Sequence, residues 1–239
     1  MNFLNNFEQR YTPKSIGDIV YPSSGVQQLI NDLVDGDRPF PIAEGKCGIL
    51  LYGIPGTGKS ALAKLLPDAM EMKKSGIEAG IDCMYERIQQ GTNGMKFMEK
   101  IINTSVLFTY QASQRYYVLD EVDNLNPSAM AMLKSAMNVP NCVFILTTNN
   151  YEKIEVGVRD RCHQIAFNAA PATSWLPLAH RILSDSGIIN VTDESLIKVI
   201  EAGNGSARNI LDGIVSIILQ VKRSQAATSP CLSNLPSII

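Results

Sequence analysis

Apolar residues follow two alternating rhythms up to about residue 170 and a single rhythm after it. Short continuous apolar runs at 47–52, 116–120 and 141–149 read as strands buried on both faces, and 163–167 reads as a further short strand. Between them the spacing is helical. Val26, Leu29, Ile30 and Leu33 predict a helix over 25–34, which Asp35-Gly36-Asp37-Arg38-Pro39 ends. The pattern at 61–66 continues as a helix, and Pro67 predicts its interruption. Asn126-Pro127-Ser128 opens a helix through Met137, with Met130, Leu133 and Met137 on one face. Residues 70–108 carry the weakest pattern. There Thr92-Asn93-Gly94 reads as a helix start, with Met98, Ile101, Ile102 and Ser105 on a core face. Strands alternating with helices predict an α/β fold, a parallel sheet flanked by helices.

After Pro171 the strands cease. Three helices are expected at about 173–186, 193–202 and 206–222, with Asp193 and Ser206 as N-caps and Gly187 and Gly203 as stops. The expected organisation is an α/β domain over 1–170, a small all-helical lid over 171–223 joined at Ala169-Ala170-Pro171, and a flexible tail or tether over 224–239. No internal repeat or low-complexity block appears.

Composition narrows the class. A chain of 239 residues, 45% hydrophobic and 18% charged, reads as a globular protein with a sizeable core. No apolar run approaches the ~20 residues of a membrane span, and the first eight residues lack a basic region followed by an apolar one. A net charge of −2 and a pI near 5.7 exclude a strongly basic, free-standing nucleic-acid binder, though not a local basic surface multiplied in an oligomer. Lys73-Lys74 and Lys222-Arg223 read as solvated faces. The five cysteines (47, 83, 142, 162, 231) are odd in number and scattered, with no zinc-ligand spacing. A reducing cytoplasm is expected, or association with the nucleoid, without a membrane partner.

The candidate chemistry sits after the first strand. Gly53-Ile54-Pro55-Gly56-Thr57-Gly58-Lys59-Ser60 reads G-x-x-x-x-G-K-S between a strand and a helix, the context a phosphate-binding loop requires. Its glycines let backbone N–H groups through Ala61 turn inward, and the helix N-terminus adds partial positive charge. Lys59 reaches the β- and γ-phosphates, and the Ser60 hydroxyl ligates Mg²⁺. About sixty residues later, Asp120-Glu121 closes an aromatic and β-branched run. Asp120 is expected near Mg²⁺, and Glu121 orients the attacking water. Asp123 reads as a loop or cap acid, His163 and His180 as surface groups, and Trp175 as packing.

Together these segments resemble an AAA+ ATPase, a P-loop NTPase, and within that class the clamp-loader subfamily typified by replication factor C small subunits and their phage counterparts. Arg10 to Val20 is similar to the family's opening segment, which implies that Tyr11, Pro13 and Val20 lie against adenine; Thr12 stands where the family usually has Arg. Asn149 stands at the sensor 1 position, beside the γ-phosphate. Val158-Arg159-Asp160-Arg161-Cys162 resembles I-x-S-R-C, with Asp160 for Ser, which implies that Arg161 is a finger donated in trans to a neighbour's site. Arg159 reads as a surface charge. Gly205-Ser206-Ala207-Arg208 resembles the sensor 2 motif, which implies that Arg208 lies near the nucleotide; a cation at a helix start opposes the dipole, which favours a functional role. Lys134 stands where the family has a basic residue. The resemblance covers roughly 8–222 and implies ATP and Mg²⁺ as ligands, a homo- or hetero-oligomer, and DNA or a DNA-bound protein as partner. The seventeen or so residues after the last helix leave no room for the family's collar domain, so an ordinary clamp-loader subunit is not expected. A nucleotide-gated adaptor of helicase-loader or transposition-regulator type is the alternative. Intact Lys59, Asp120 and Glu121 stand against a catalytically silent subunit.

Overall fold

The apolar runs become parallel strands: β1 (Gly48–Tyr52), β2 (Cys83–Arg87), β3 (Arg115–Asp120), β4 (Cys142–Thr148) and β5 (Cys162–Ala166), in the order β2-β3-β4-β1-β5. The computed structural model describes residues 7–42, 45–90 and 94–228. Every pairing is parallel, with Gly48 opposite both Phe144 and Cys162, and Tyr116 opposite Val143. The central strands β3, β1 and β4 are buried on both faces, as continuous apolar runs demand. Strand β2 lies at one edge with Tyr85, Glu86 and Arg87 exposed, so its sequence carries no buried-strand signal, and it was not foreseen.

Helices α1 (Phe7–Tyr11), α2 (Ser24–Asp35), α3 (Lys59–Ser75), α4 (Met95–Ser105), α5 (Pro127–Ala136) and α6 (Val156–Asp160) complete this unit. Alternate strand residues feed two cores. Leu50, Tyr117, Leu119, Phe144 and Leu146 pack with Met98, Ile101 and Leu133 of α4 and α5. Ile49, Leu51, Tyr116, Val118 and Ile145 pack with Ile30, Leu33, Leu62 and Leu66 of α2 and α3. The expected start of α4 at Thr92-Asn93 lies outside the described residues.

Helix α3 corrects the sequence reading, because it runs through Pro67 to Ser75. Proline removes one helical hydrogen bond and costs about 3 kcal/mol. Burying Leu62, Leu66 and Met70 against the sheet contributes about 1.5–3 kcal/mol per side chain, which outweighs that cost.

One compact unit ends at Ala170 and a second begins at Pro171. The second is helical throughout its described residues: α7 (Ala172–Asp185), α8 (Asp193–Ala202) and α9 (Ala207–Thr228). Trp175, Ile182, Leu196, Ile200, Ile210, Ile214 and Ile218 are buried there. The cap of α8 is Thr192, whose hydroxyl accepts from the Ser195 N–H; Asp193 is the first helical residue instead, and lies 2.7 Å from His180. Ser206 precedes α9 and accepts the Ile210 N–H through its carbonyl. Gly203 ends α8 with φ −73°, and the left-handed turn falls on Asn204 and Gly205. Helix α9 continues to Thr228, into the stretch expected as a tail; 229–239 lies outside the described residues. Among the described residues no helix is long and apolar enough to cross a membrane.

Two buried carboxylates fix the approach to β3. Glu71 accepts from Ser113 N (2.7 Å), Ser113 Oγ (3.0 Å) and the Tyr116 hydroxyl (2.9 Å). Asp82 accepts the N–H groups of Tyr110, Gln111 and Ala112 and faces Arg115 at 3.6 Å. Burial pushes both pKa values up, but the hydrogen bonds win and hold them below their ordinary values. A depressed folded pKa contributes stability above the unfolded value, and that stability is lost as pH falls through the folded one. Glu71→Gln is therefore expected to be about 1–3 kcal/mol less stable at neutral pH. It should also lose less stability than the wild type on acidification below the ordinary glutamate value of 4.5, measured by denaturant titration at several pH values. Parallel acid limbs for the two proteins would refute this.

Candidate nucleotide-binding site

The loop between β1 and α3 turns on glycines at φ 143° (Gly53), 84° (Gly56) and 102° (Gly58). At Gly53 a Cβ would also meet Asn168 Oδ1 at 2.6 Å and the Phe167 carbonyl oxygen at 2.8 Å, so no side chain fits. Thr57 anchors the loop from below, its hydroxyl donating to the carbonyls of Phe167 (2.9 Å) and Ile54 (3.2 Å). Phe167 is itself held by Tyr21 at 6.1 Å between ring centroids. Pro55 is exposed on the rim, and Ala61 continues the first turn of α3. Lys59 is buried and donates to the carbonyls of Gly53 (2.9 Å) and Ile54 (2.6 Å). Burial lowers its pKa to about 8, against the opposing pull of Asp120 and Asp123. An ammonium resting on two carbonyls in a cationic cradle is poised to exchange them for phosphate oxygens.

The acids converge on the same place. Asp120, 4% exposed, accepts from Ser60 Oγ at 2.7 Å, from Thr147 Oγ1 through the same oxygen, and from the Tyr85 hydroxyl at 3.2 Å through the other. One hydroxyl and one carboxylate form a hard, all-oxygen set. Mg²⁺ accepts such a partial set when phosphates and waters complete its octahedron, so these residues fit it. Among the described residues no cage of three or more His, Cys, Asp or Glu side chains exists. Burial, and then the Asp120 charge, pushes the Tyr85 phenol up to about 12, so it remains a donor.

Glu121 follows in a left-handed conformation, φ 60° and ψ 49°, at the start of a short 3₁₀ turn. Its N–H donates to Thr147 Oγ1 (3.1 Å), and its carboxylate pairs with Arg87 at 2.8 Å. Asp123, read as a loop acid, accepts from the Thr148 hydroxyl at 2.8 Å.

Other predicted residues fall elsewhere. Asn149 is exposed just past the end of β4, at the loop's end of the sheet. Tyr11 is buried at the end of α1 against Phe7, and Pro13 and Val20 are partly buried. Val20 sits between Ile19 and Tyr21, which join the core beside Phe167. Arg161 is at the opposite end of the sheet: its carbonyl accepts the N–H groups of Cys47 and Gly48, where β1 begins. Its side chain donates to Asn138 Oδ1 (3.0 Å) and the Gly157 carbonyl (2.8 Å). A strand of this length separates it from the loop by roughly 13 Å or more, beyond a side chain's reach. Arg159 lies over the Tyr151 ring at 4.6 Å, and Lys134 pairs with Glu155. Arg208 is exposed in the first turn of α9, on the second unit.

Sequence reasoning missed Thr147, Tyr85 and Arg87. The Thr147-Thr148 pair closing an apolar strand was a readable signal. Tyr85 and Arg87 had none, because β2 was not recognised.

A phosphate-binding loop at the C-terminal edge of a parallel sheet, beside an Asp-Glu pair, defines a P-loop NTPase fold. The chain belongs to the ATPase family associated with various cellular activities (AAA), whose model matches residues 49–169, just over half its length. It is similar to a replication factor C large subunit of Methanosarcina mazei, 25% identical over 86% of this chain and 32% of that one. It is also similar to replication factor C subunit 4 of Encephalitozoon cuniculi, at 26% over 85% and 62%. DNA polymerase III subunit gamma/tau of Mycoplasma pneumoniae is 21% identical over 95% and 34%. These relatives bear out the AAA+ and clamp-loader-like resemblance; the chain spans about a third to three-fifths of their length. Among solved structures, a Thermotoga maritima RuvB variant superimposes with a TM-score of 0.61 at 15% identity, over 91% of this chain and 67% of its own, a likeness of fold.

The backbone at Glu121 yields a test. A non-glycine residue at φ 60° costs about 1 kcal/mol or more, and the partner Arg87 is too exposed for the ion pair to offset much. Glu121→Gly is expected to raise Tm by about 2 °C in calorimetry. A lowered Tm would show that the acid's contacts outweigh its backbone strain.

Proposed function

We propose that this chain binds ATP with Mg²⁺ and hydrolyses it within an oligomer, as a clamp-loader-like ATPase that couples turnover to assembly on DNA or on a DNA-bound protein. The observation that carries the reading is the convergence of Lys59, Ser60 and Asp120 on one glycine cradle, with Glu121 the next residue after Asp120. In this mechanism backbone N–H groups from Gly53 to Ala61 hold the phosphates, and Lys59 leaves its two carbonyls for the β- and γ-phosphates. Ser60 and Asp120 hold Mg²⁺, which supplies charge neutralisation when bound. Glu121 accepts a proton from water as its oxygen attacks the γ-phosphorus and the bond to the β,γ-bridging oxygen breaks. Asn149 steadies the γ-phosphate. Tyr11, Pro13 and Val20 form the adenine side, and Arg208 is assigned a nucleotide-sensing role.

Arg161 completes a neighbour's site. Its distance from its own loop supports donation in trans, and the relatives' names support a replication role. A second reading, in which ATP drives assembly and hydrolysis only resets it, draws support from the Arg87 ion pair, which occupies the Glu121 carboxylate.

Glu121→Gln is expected to keep ATP affinity and abolish turnover, since an amide cannot take the proton. Unchanged turnover would remove Glu121 as the base. Arg161→Ala should keep monomer ATP affinity yet lose about 10³-fold or more of the concentration-dependent rate. Mixing it with Lys59→Ala protein should restore activity, because Lys59→Ala still donates its own Arg161. A dead mixture of folded, co-assembling variants would overturn the shared site. Stimulation of turnover by primed DNA, with particle mass unaffected by nucleotide, favours the first reading; nucleotide-dependent mass without DNA stimulation favours the second.

A further inference from the structure

Strand β2, absent from any motif in the sequence, reaches the metal carboxylate. Its register sets Tyr85 against Val118, two residues short of Asp120, and the tyrosine hydroxyl donates to Asp120 Oδ2 at 3.2 Å. Ser60 and Thr147 both donate to the other oxygen, Oδ1. Among these three hydroxyls, Tyr85 is the one bonded to the second oxygen, so that with it both oxygens of the carboxylate are held. The ring is held in turn by Lys64, whose ammonium lies 4.3 Å from its centroid. Lys64 stands one helical turn after Ser60 on α3, so the helix that carries the metal hydroxyl also steadies the tyrosine. Although Tyr85 is 40% exposed on an edge strand, its hydroxyl turns inward to a carboxylate that is 4% exposed.

We propose that Tyr85 is a positioning residue for Mg²⁺: its hydroxyl sets the orientation in which Asp120 meets the metal. The proposal rests on the ATP·Mg²⁺ reading of the site. Hydrogen bonds to ligating carboxylates orient them, and losing one typically costs 10- to 100-fold in metal affinity or activity. Tyr85 touches neither nucleotide nor metal in this role, so its effect falls on Mg²⁺ dependence and leaves metal-free nucleotide binding alone.

The test is Tyr85→Phe, which keeps the ring under Lys64 and removes one oxygen. Binding of a fluorescent ADP analogue is titrated with Mg²⁺ and repeated in EDTA, and Mn²⁺ occupancy is read directly by electron paramagnetic resonance. The expected result is a half-saturating Mg²⁺ concentration raised about tenfold, with a parallel loss of Mn²⁺ affinity. ADP affinity in EDTA and Tm should match the wild type. If Tyr85→Phe keeps the wild-type Mg²⁺ dependence while Asp120→Asn loses it, the proposal is overturned and the site reading survives. A Tyr85→Phe protein whose ADP affinity also falls in EDTA would show a role in shaping the fold, which likewise overturns it. If Asp120→Asn and Ser60→Ala leave Mg²⁺ dependence unaltered, the site reading fails first.

Discussion

The buried carboxylate of Asp120 is the point on which the site depends. An ionised group taken out of water is costly unless hydrogen bonds replace its hydration. Here the replacements come from Ser60 at the start of α3, Thr147 near the end of β4 and Tyr85 on β2. Each donor is useful only if its element is in register: β3 against β4 with Leu119 opposite Leu146, and β2 against β3 with Tyr85 opposite Val118. The need to satisfy one carboxylate thus ties three strands and a helix to a common end of the sheet.

Parallel topology gives that end its character. Every strand finishes there, and α3 begins there, so the glycine loop, the acid pair and Asn149 share one edge. The same topology sends Arg161 to the other edge, where its carbonyl caps the start of β1. A single subunit therefore presents the phosphate cradle at one end of the sheet and the candidate finger at the other. This is the arrangement an oligomer needs if each member is to complete its neighbour's site.

Local structure at the acids is held by opposing demands. Glu121 takes up a left-handed backbone that a carboxylate side chain does not favour, and it does so where β3 breaks into a 3₁₀ turn. That bend turns Glu121 out of the strand, toward Arg87, while Asp120 stays inward. Two adjacent acids thereby face different environments, one buried and bonded to hydroxyls, the other partly exposed and paired with a cation. Earlier in the chain, Glu71 and Asp82 stabilise the loop that leads into β3, using the same principle of a buried carboxylate saturated by donors.

By itself the sequence determined the strands β1, β3, β4 and β5, the glycine loop, and the identities of Lys59, Ser60, Asp120 and Glu121. Strands buried on both faces write continuous apolar runs, and positive φ angles demand glycine, so both are legible locally. Tertiary structure decided what local pattern does not encode. Strand β2 forms because β3 offers it an edge, not because its residues alternate. Helix α3 passes through Pro67 because its buried face outweighs one lost hydrogen bond. Thr192 caps α8 in place of Asp193, which His180 engages from α7. Tyr85 and Arg87 reach the acid pair only once β2 lies beside β3. Such roles belong to distances across the sheet, and those exist only after the chain has folded.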